Sequence, residues 1–100
     1  MTTDLNKVYT LKLTNADEIV CKIIEENSDS YTVENPLSAV PTEKGIQLIF
    51  TVFTADPKET VKINKSGIAM ICATREEVGD TYLEMTTGIK PVRKPQILMS

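Results

Sequence analysis

Residues 61–73 read VKINKSGIAMICA. Two β-prone runs flank the polar turn Asn64-Lys65-Ser66-Gly67, with Ile63 and Ile68 immediately on either side. Valine and isoleucine favour the pleated strand, whereas Asn, Ser and Gly tolerate the positive backbone dihedrals of a tight turn. The stretch therefore predicts strand, polar loop and returning strand, the signature of a small β domain.

The chain upstream supports this. Residues 8–14 (VYTLKLT) alternate, with Tyr9, Leu11 and Leu13 on one face and Thr10 and Lys12 on the other, which predicts a half-buried strand. A turn at Asn15-Ala16-Asp17 leads into a second strand over 18–26 (EIVCKIIEE). Ile19, Cys21 and Ile23 share one face of it, and Val20 and Ile24 make the other partly apolar. Asn27-Ser28-Asp29-Ser30 collects residues that bond their own backbone in turns. A third strand begins at Tyr31, and Pro36 predicts a bend there, with residues 37–40 continuing on a sheet edge and 41–45 forming a loop. Residues 46–54 (IQLIFTVFT) are apolar on both faces, so this strand is expected to be covered on both sides, by a helix and by a neighbouring subunit. Residues 55–58 (ADPK) read as a turn.

Thr74-x-x-Glu77 fits a capping box and opens a helix over about 75–87. Val78, Tyr82 and Met85 make its apolar stripe, Gly79 weakens it, and Thr86-Thr87-Gly88 ends it. Residues 1–89 are thus expected to form one domain. Residues 90–100 (KPVRKPQILMS) read first as an extended, basic, solubilising tail. The alternative for the tail is that Ile97-Leu98-Met99 dock on a protein partner.

Composition narrows the function. The 100 residues suit a single core, and 41% hydrophobic with 25% charged residues is ordinary for a globular domain. No apolar run is long enough to span a membrane, and the N-terminus MTTDLNK lacks the pattern of a secretory signal, so a cytoplasmic location is expected. Cys21 and Cys72 sit in apolar runs and read as buried free thiols, with a disulfide as the alternative. Histidine is absent, which removes the usual general acid–base residue and the commonest metal ligand. The two cysteines lack metal-ligand spacing, so neither an enzyme nor a cofactor or metal is expected. Residues 1–89 hold all 14 acids and 8 of the 11 basic residues, a net of −6, and the tail carries +3. Bulk charge on the body therefore does not steer nucleic acid, and any such binding must come from local basic positions.

Residues 13–27 (LTNADEIVCKIIEEN) and the INKSGI of residues 63–68 together resemble the two sequence motifs of Sm/LSm proteins. Asn15-Ala16 stands at the family's first turn, and Cys21 and Glu25 stand where its members often carry glycine. Asn27 stands at the family's loop aspartate, and Ser30 or Tyr31 near its base-contacting asparagine. Asn64 and Lys65 occupy the positions of the second motif's arginine and glycine. The family usually places a helix first, whereas here the helix comes last. Phage-encoded Sm-like proteins, those of cyanophages included, are a home for such a version.

The resemblance implies a mainly β fold, a small, strongly bent five-stranded Sm-like (SH3-like) barrel with a C-terminal helix, assembled with itself into a homo-oligomeric ring. It further implies binding of single-stranded RNA, in preference to DNA, by pore-facing loops, and a role in RNA or DNA processing. The residues it nominates are Asn27, Ser30, Tyr31, Asn64, Lys65 and Ser66. Tyr31 would stack on a base, Asn27, Ser30, Asn64 and Ser66 would hydrogen-bond, and Lys65 would meet phosphate. The alternative reading is a non-catalytic structural or adaptor ring, such as a phage assembly or virion component, with no nucleic acid. For both loops, plain hairpin turns stand as an equal alternative.

Overall fold

The structure, a computed structural model, describes residues 4–51, 56 and 58–88. Six strands form one antiparallel sheet, followed by one helix. They are β1 Lys7–Leu13, β2 Glu18–Glu26, β3 Ser30–Thr42, β4 Gly45–Phe50, β5 Val61–Asn64, β6 Ile68–Ala73 and α1 Glu76–Thr87. The strand order is β4-β3-β2-β1-β6, and β5 pairs with β3 as well. The sheet is not closed into a barrel: β4, β5 and β6 each have one partner strand, and none of these three pairs with another among the described strands.

β3 is the longest strand because, beside β2 on one side, it serves two partners on the other. Its first residues, Ser30 to Val33, pair with β5, and its last, Leu37 to Thr42, pair with β4. Pro36 falls at an irregularity of the strand, which runs on past it, and Leu37 and Ser38 lie between β2 and β4 instead of on an edge. Val20 faces Leu37 and Lys22 faces Glu34, so Asn35 and Pro36 together oppose Cys21 in a bulge. Asn35 takes φ 48°, which asparagine accepts, and the missing proline N–H falls where the ladder is already interrupted. The predicted loop over 41–45 shrinks to a turn at Glu43-Lys44, with Thr42 Oγ1 donating to the Gly45 carbonyl at 2.7 Å.

Two cores lie on the two faces of the sheet. Tyr9, Leu11, Ile19, Cys21, Ile23, Tyr31 and Val33 fill one, with Ile63, Ile68 and Ile71 packed against them. Val20, Leu37, Leu48 and Tyr82 form the other, with Val8, Ala39 and Val78. The strand covered on both sides is therefore β2, which carries Val20 on one face and Cys21 and Ile23 on the other. β4 is an edge strand whose Leu48 alone is buried, while Ile46, Ile49 and Phe50 are exposed. Residues 52–54 of the predicted strand lie outside the described residues.

The helix forms as expected, but its start differs. Thr74 makes no cap, because its hydroxyl shares a 2.9 Å hydrogen bond with Thr10 on β1. Arg75 occupies the cap position and its Nε reaches Glu77 Oε2 at 3.1 Å. Val78 and Tyr82 pack on the sheet, but Met85 is exposed, since the second core does not extend past Tyr82. Tyr82 anchors the helix: its hydroxyl donates to the Glu34 carbonyl at 2.9 Å. Gly88 closes the helix at φ 76°, its N–H reaching the Glu84 carbonyl. Both cysteines are free; Cys21 is buried, but Cys72, on edge strand β6, is exposed. The tail 90–100 lies outside the described residues.

Candidate nucleic-acid interface

The two polar loops meet. β2 and β3 form a hairpin closed by the Asn27 N–H donating to the Ser30 carbonyl at 2.8 Å. β5 then lies beside the start of β3, pairing Asn64 with Ser30 and Ile63 with Tyr31. A single turn of 3-10 helix, Lys65–Gly67, carries the chain over to β6, which pairs with β1. The strands around this turn are thus not a hairpin with each other. Gly67 needs no positive φ, contrary to the tight turn expected from its sequence. The Lys65 N–H donates to the Asp29 carbonyl at 2.8 Å, tying the second loop to the first.

Of the nominated residues, Asn64 and Ser66 are exposed and Asn27 is half-buried, its Nδ2 donating to Ser30 Oγ at 3.4 Å. Ser30 is buried. Tyr31 is only 8% exposed and belongs to the first core, so it presents no open stacking face in this arrangement. Lys65 Nζ stands 4.9 Å from the centroid of the Tyr31 ring, a cation–π contact. The same ammonium donates to Glu26 Oε2 at 2.8 Å. That hydrogen bond is the main reason the Lys65 pKa is raised above the ordinary lysine range.

Glu26 is the residue that sequence reasoning missed. Regular alternation after Ile23 would set Glu25 opposite Tyr31. The register instead shifts between Ile23 and Glu25, so that Ile24 is extra and Glu26 faces Tyr31. The bulge thus turns Glu26 towards Lys65, while Glu25 accepts from Thr32 Oγ1 at 3.4 Å. Its sequence signal is faint, a carboxylate at the mouth of a hairpin five residues before a tyrosine.

Elsewhere, an open groove of about 360 Å³ runs between the start of α1 and the sheet, lined by Thr10, Val20, Ala39, Cys72, Arg75 and Val78 among others. Among the described residues no group of three or more Cys, Asp or Glu side chains stands ready to hold a metal ion. No described helix is long and apolar enough to cross a membrane. A scan against protein-family models finds no match to this chain, and a search of curated proteins finds none either.

Proposed function

We propose that the chain is a homo-oligomeric Sm-like ring protein that binds single-stranded nucleic acid, RNA in preference to DNA, through residues 27–31 and 64–66. The observation that carries this is the meeting of the two loops, with Asn64 paired to Ser30 and Lys65 bonded to Asp29 and set over Tyr31. Two motifs more than thirty residues apart in the chain supply one surface with amides, a hydroxyl and a cation, the cation covering a buried tyrosine ring. Those are the groups that splayed bases and a phosphate chain require. Along its outer side β3 pairs with β4 at one end and β5 at the other, so one long strand ties the second loop to the rest of the sheet. The open edges of β4 and β6, with Phe50 64% and Met70 63% exposed, leave room for neighbouring copies.

Native mass spectrometry at moderate salt tests the assembly, and titration with a labelled single-stranded oligouridylate tests the site. A closed oligomer is expected, and Lys65→Glu is expected to abolish binding while leaving the oligomer mass unchanged. A monomer would remove the ring, and unchanged affinity of Lys65→Glu would remove the loop from the site.

A second reading, the structural or adaptor ring, is favoured by one observation: Lys65 is already paired to Glu26, with Glu25 and Asp29 exposed nearby. A ring that captures no oligonucleotide in the same titration would select it.

A further inference from the structure

The cation of the loop pair is held in place by the chain itself. Lys65 Nζ and Glu26 Oε2 are 2.8 Å apart, with side chains 32% and 30% exposed. The ammonium also covers one face of the Tyr31 ring at 4.9 Å. The backbone on both sides of the pair is fixed, by Lys65 N–H to the Asp29 carbonyl and by the Asn27–Ser30 closure of the hairpin. The bulge at Ile24 is what delivers Glu26, rather than Glu25, to this position.

We infer that Glu26 is a built-in competitor for the phosphate chain, a latch that holds Lys65 over Tyr31 until a ligand anion displaces the carboxylate. This rests on the nucleic-acid reading proposed above. With the latch closed, the exposed groups of the second loop are neutral, the amide of Asn64 and the hydroxyl of Ser66. The resting site therefore reads base edges, which carry sequence information, and discounts phosphate, which does not. Exchanging one anion for another at the same ammonium gains little Coulomb energy. The latch thus lowers overall affinity and flattens its dependence on salt. When it opens, one side-chain movement frees a cation and uncovers an aromatic face together.

The test uses the full chain, a fluorescein-labelled decauridylate and anisotropy titrations across a salt series. Glu26→Gln keeps the shape of the side chain and removes its charge. It is expected to bind roughly two- to fivefold more tightly than the native protein, the range that a part-exposed ion pair can hold back. Its plot of log affinity against log salt is expected to steepen by about 0.7 for each lysine freed. Adding Lys65→Gln to Glu26→Gln should cancel both gains. Glu26→Asp, which withdraws the carboxylate from Lys65, should show a smaller gain of the same sign.

Equal or weaker binding by Glu26→Gln at an unchanged salt slope would overturn the latch and leave the nucleic-acid reading standing. A gain that survives removal of Lys65 would also overturn it, since lower overall charge would then be the cause. Binding by neither the native protein nor Glu26→Gln would remove the nucleic-acid reading and the latch with it.

Discussion

Three glycines answer to three different demands, and substitution by alanine separates them. Gly88 sits at φ 76°, where a Cβ meets the following carbonyl, so Gly88→Ala should lower stability by about 1 kcal/mol. Gly79 lies inside α1 and an added Cβ would meet only Thr74 Cγ2, at 4.0 Å. Gly79→Ala should therefore raise stability by roughly 0.5–1 kcal/mol through helix propensity. Gly67 has no atom within 4 Å of an added Cβ and no positive φ, so Gly67→Ala should be neutral or slightly stabilising. Urea unfolding reads all three; a loss at Gly67 as large as that at Gly88 would contradict the 3-10 geometry of its turn. Residue identity showed that Asn64 to Gly67 interrupts the strands, but not which turn it makes. That depends on β5 finding β3 and β6 finding β1, pairings made far away in the chain. The same limit hid Glu26. Its partner Lys65 is 39 residues away, and one bulged residue decides which of two adjacent glutamates faces it. Lys65, Asn64 and Asn27 could be nominated from the sequence because turn chemistry and motif spacing are local properties.

At the scale of elements, alternation in β1 and β2 was legible because each pleated strand exposes its period directly. Tyr9, Leu11, Ile19, Cys21 and Ile23 fall on the face expected of them. The apolar run of β4 misled, because exposed side chains on an edge strand and buried ones on a central strand have the same composition. The capping box failed through competition: the Thr74 hydroxyl found Thr10 across the sheet instead of its own helix. What holds the helix down is Tyr82, 1% exposed and bonded to the Glu34 carbonyl on the sheet, with Cys21 buried on the opposite face of β2. Burial pushes the Cys21 thiol up to about 12. Burial, then the nearby Cys21, pushes the Tyr82 hydroxyl above the ordinary tyrosine range. Both groups are neutral in the folded protein at pH values where the unfolded chain has ionised them. The folded state thus holds more protons, and stability falls as pH rises above about 9 for Cys21 and about 10 for Tyr82. Each contributes a slope of up to about 1.4 kcal/mol per pH unit, and below pH 8 neither contributes any. Urea unfolding from pH 7 to 11 should show this decline, and Tyr82→Phe should flatten its upper part while lowering stability at neutral pH by about 1 kcal/mol. An unchanged alkaline slope in Tyr82→Phe would mean that the hydroxyl is not desolvated by the sheet.

At the scale of the whole molecule, the question is what the open edges of β4 and β6 are for. β4 leaves one row of backbone donors and acceptors without a described strand beside it, and β6 leaves another, on opposite sides of the sheet. Exposed edges of this kind are usually blunted by charge, proline or a bulge close to the edge. Here β6 has a bulge at Ala69, but beside it Met70 is 63% exposed, and β4 carries Ile46, Ile49 and Phe50 at 38%, 43% and 64% exposure. Both edges carry exposed apolar side chains. Pairing β4 of one copy with β6 of the next would bury these residues, and repetition of that contact closes into a ring only if the rotation between copies allows it. In the single chain Phe50 packs in neither core, so replacing it by lysine removes little folding energy. Phe50→Lys should therefore keep the native circular dichroism and shift its unfolding midpoint little, within about 0.5 kcal/mol. At the edge it would set an ammonium into the proposed apolar contact, and the proposed assembly should fall to monomer in native mass spectrometry. Met70→Lys should do the same from the other edge. An equimolar mixture of the two variants would then offer one intact β4 and one intact β6, enough for a heterodimer but not for a longer chain of copies. Appearance of that dimer, with no larger species, would show that the contact runs head to tail between β4 and β6. If Phe50→Lys alone dissociates the assembly and Met70→Lys does not, β4 pairs with its own copy about a two-fold axis and the ring is excluded.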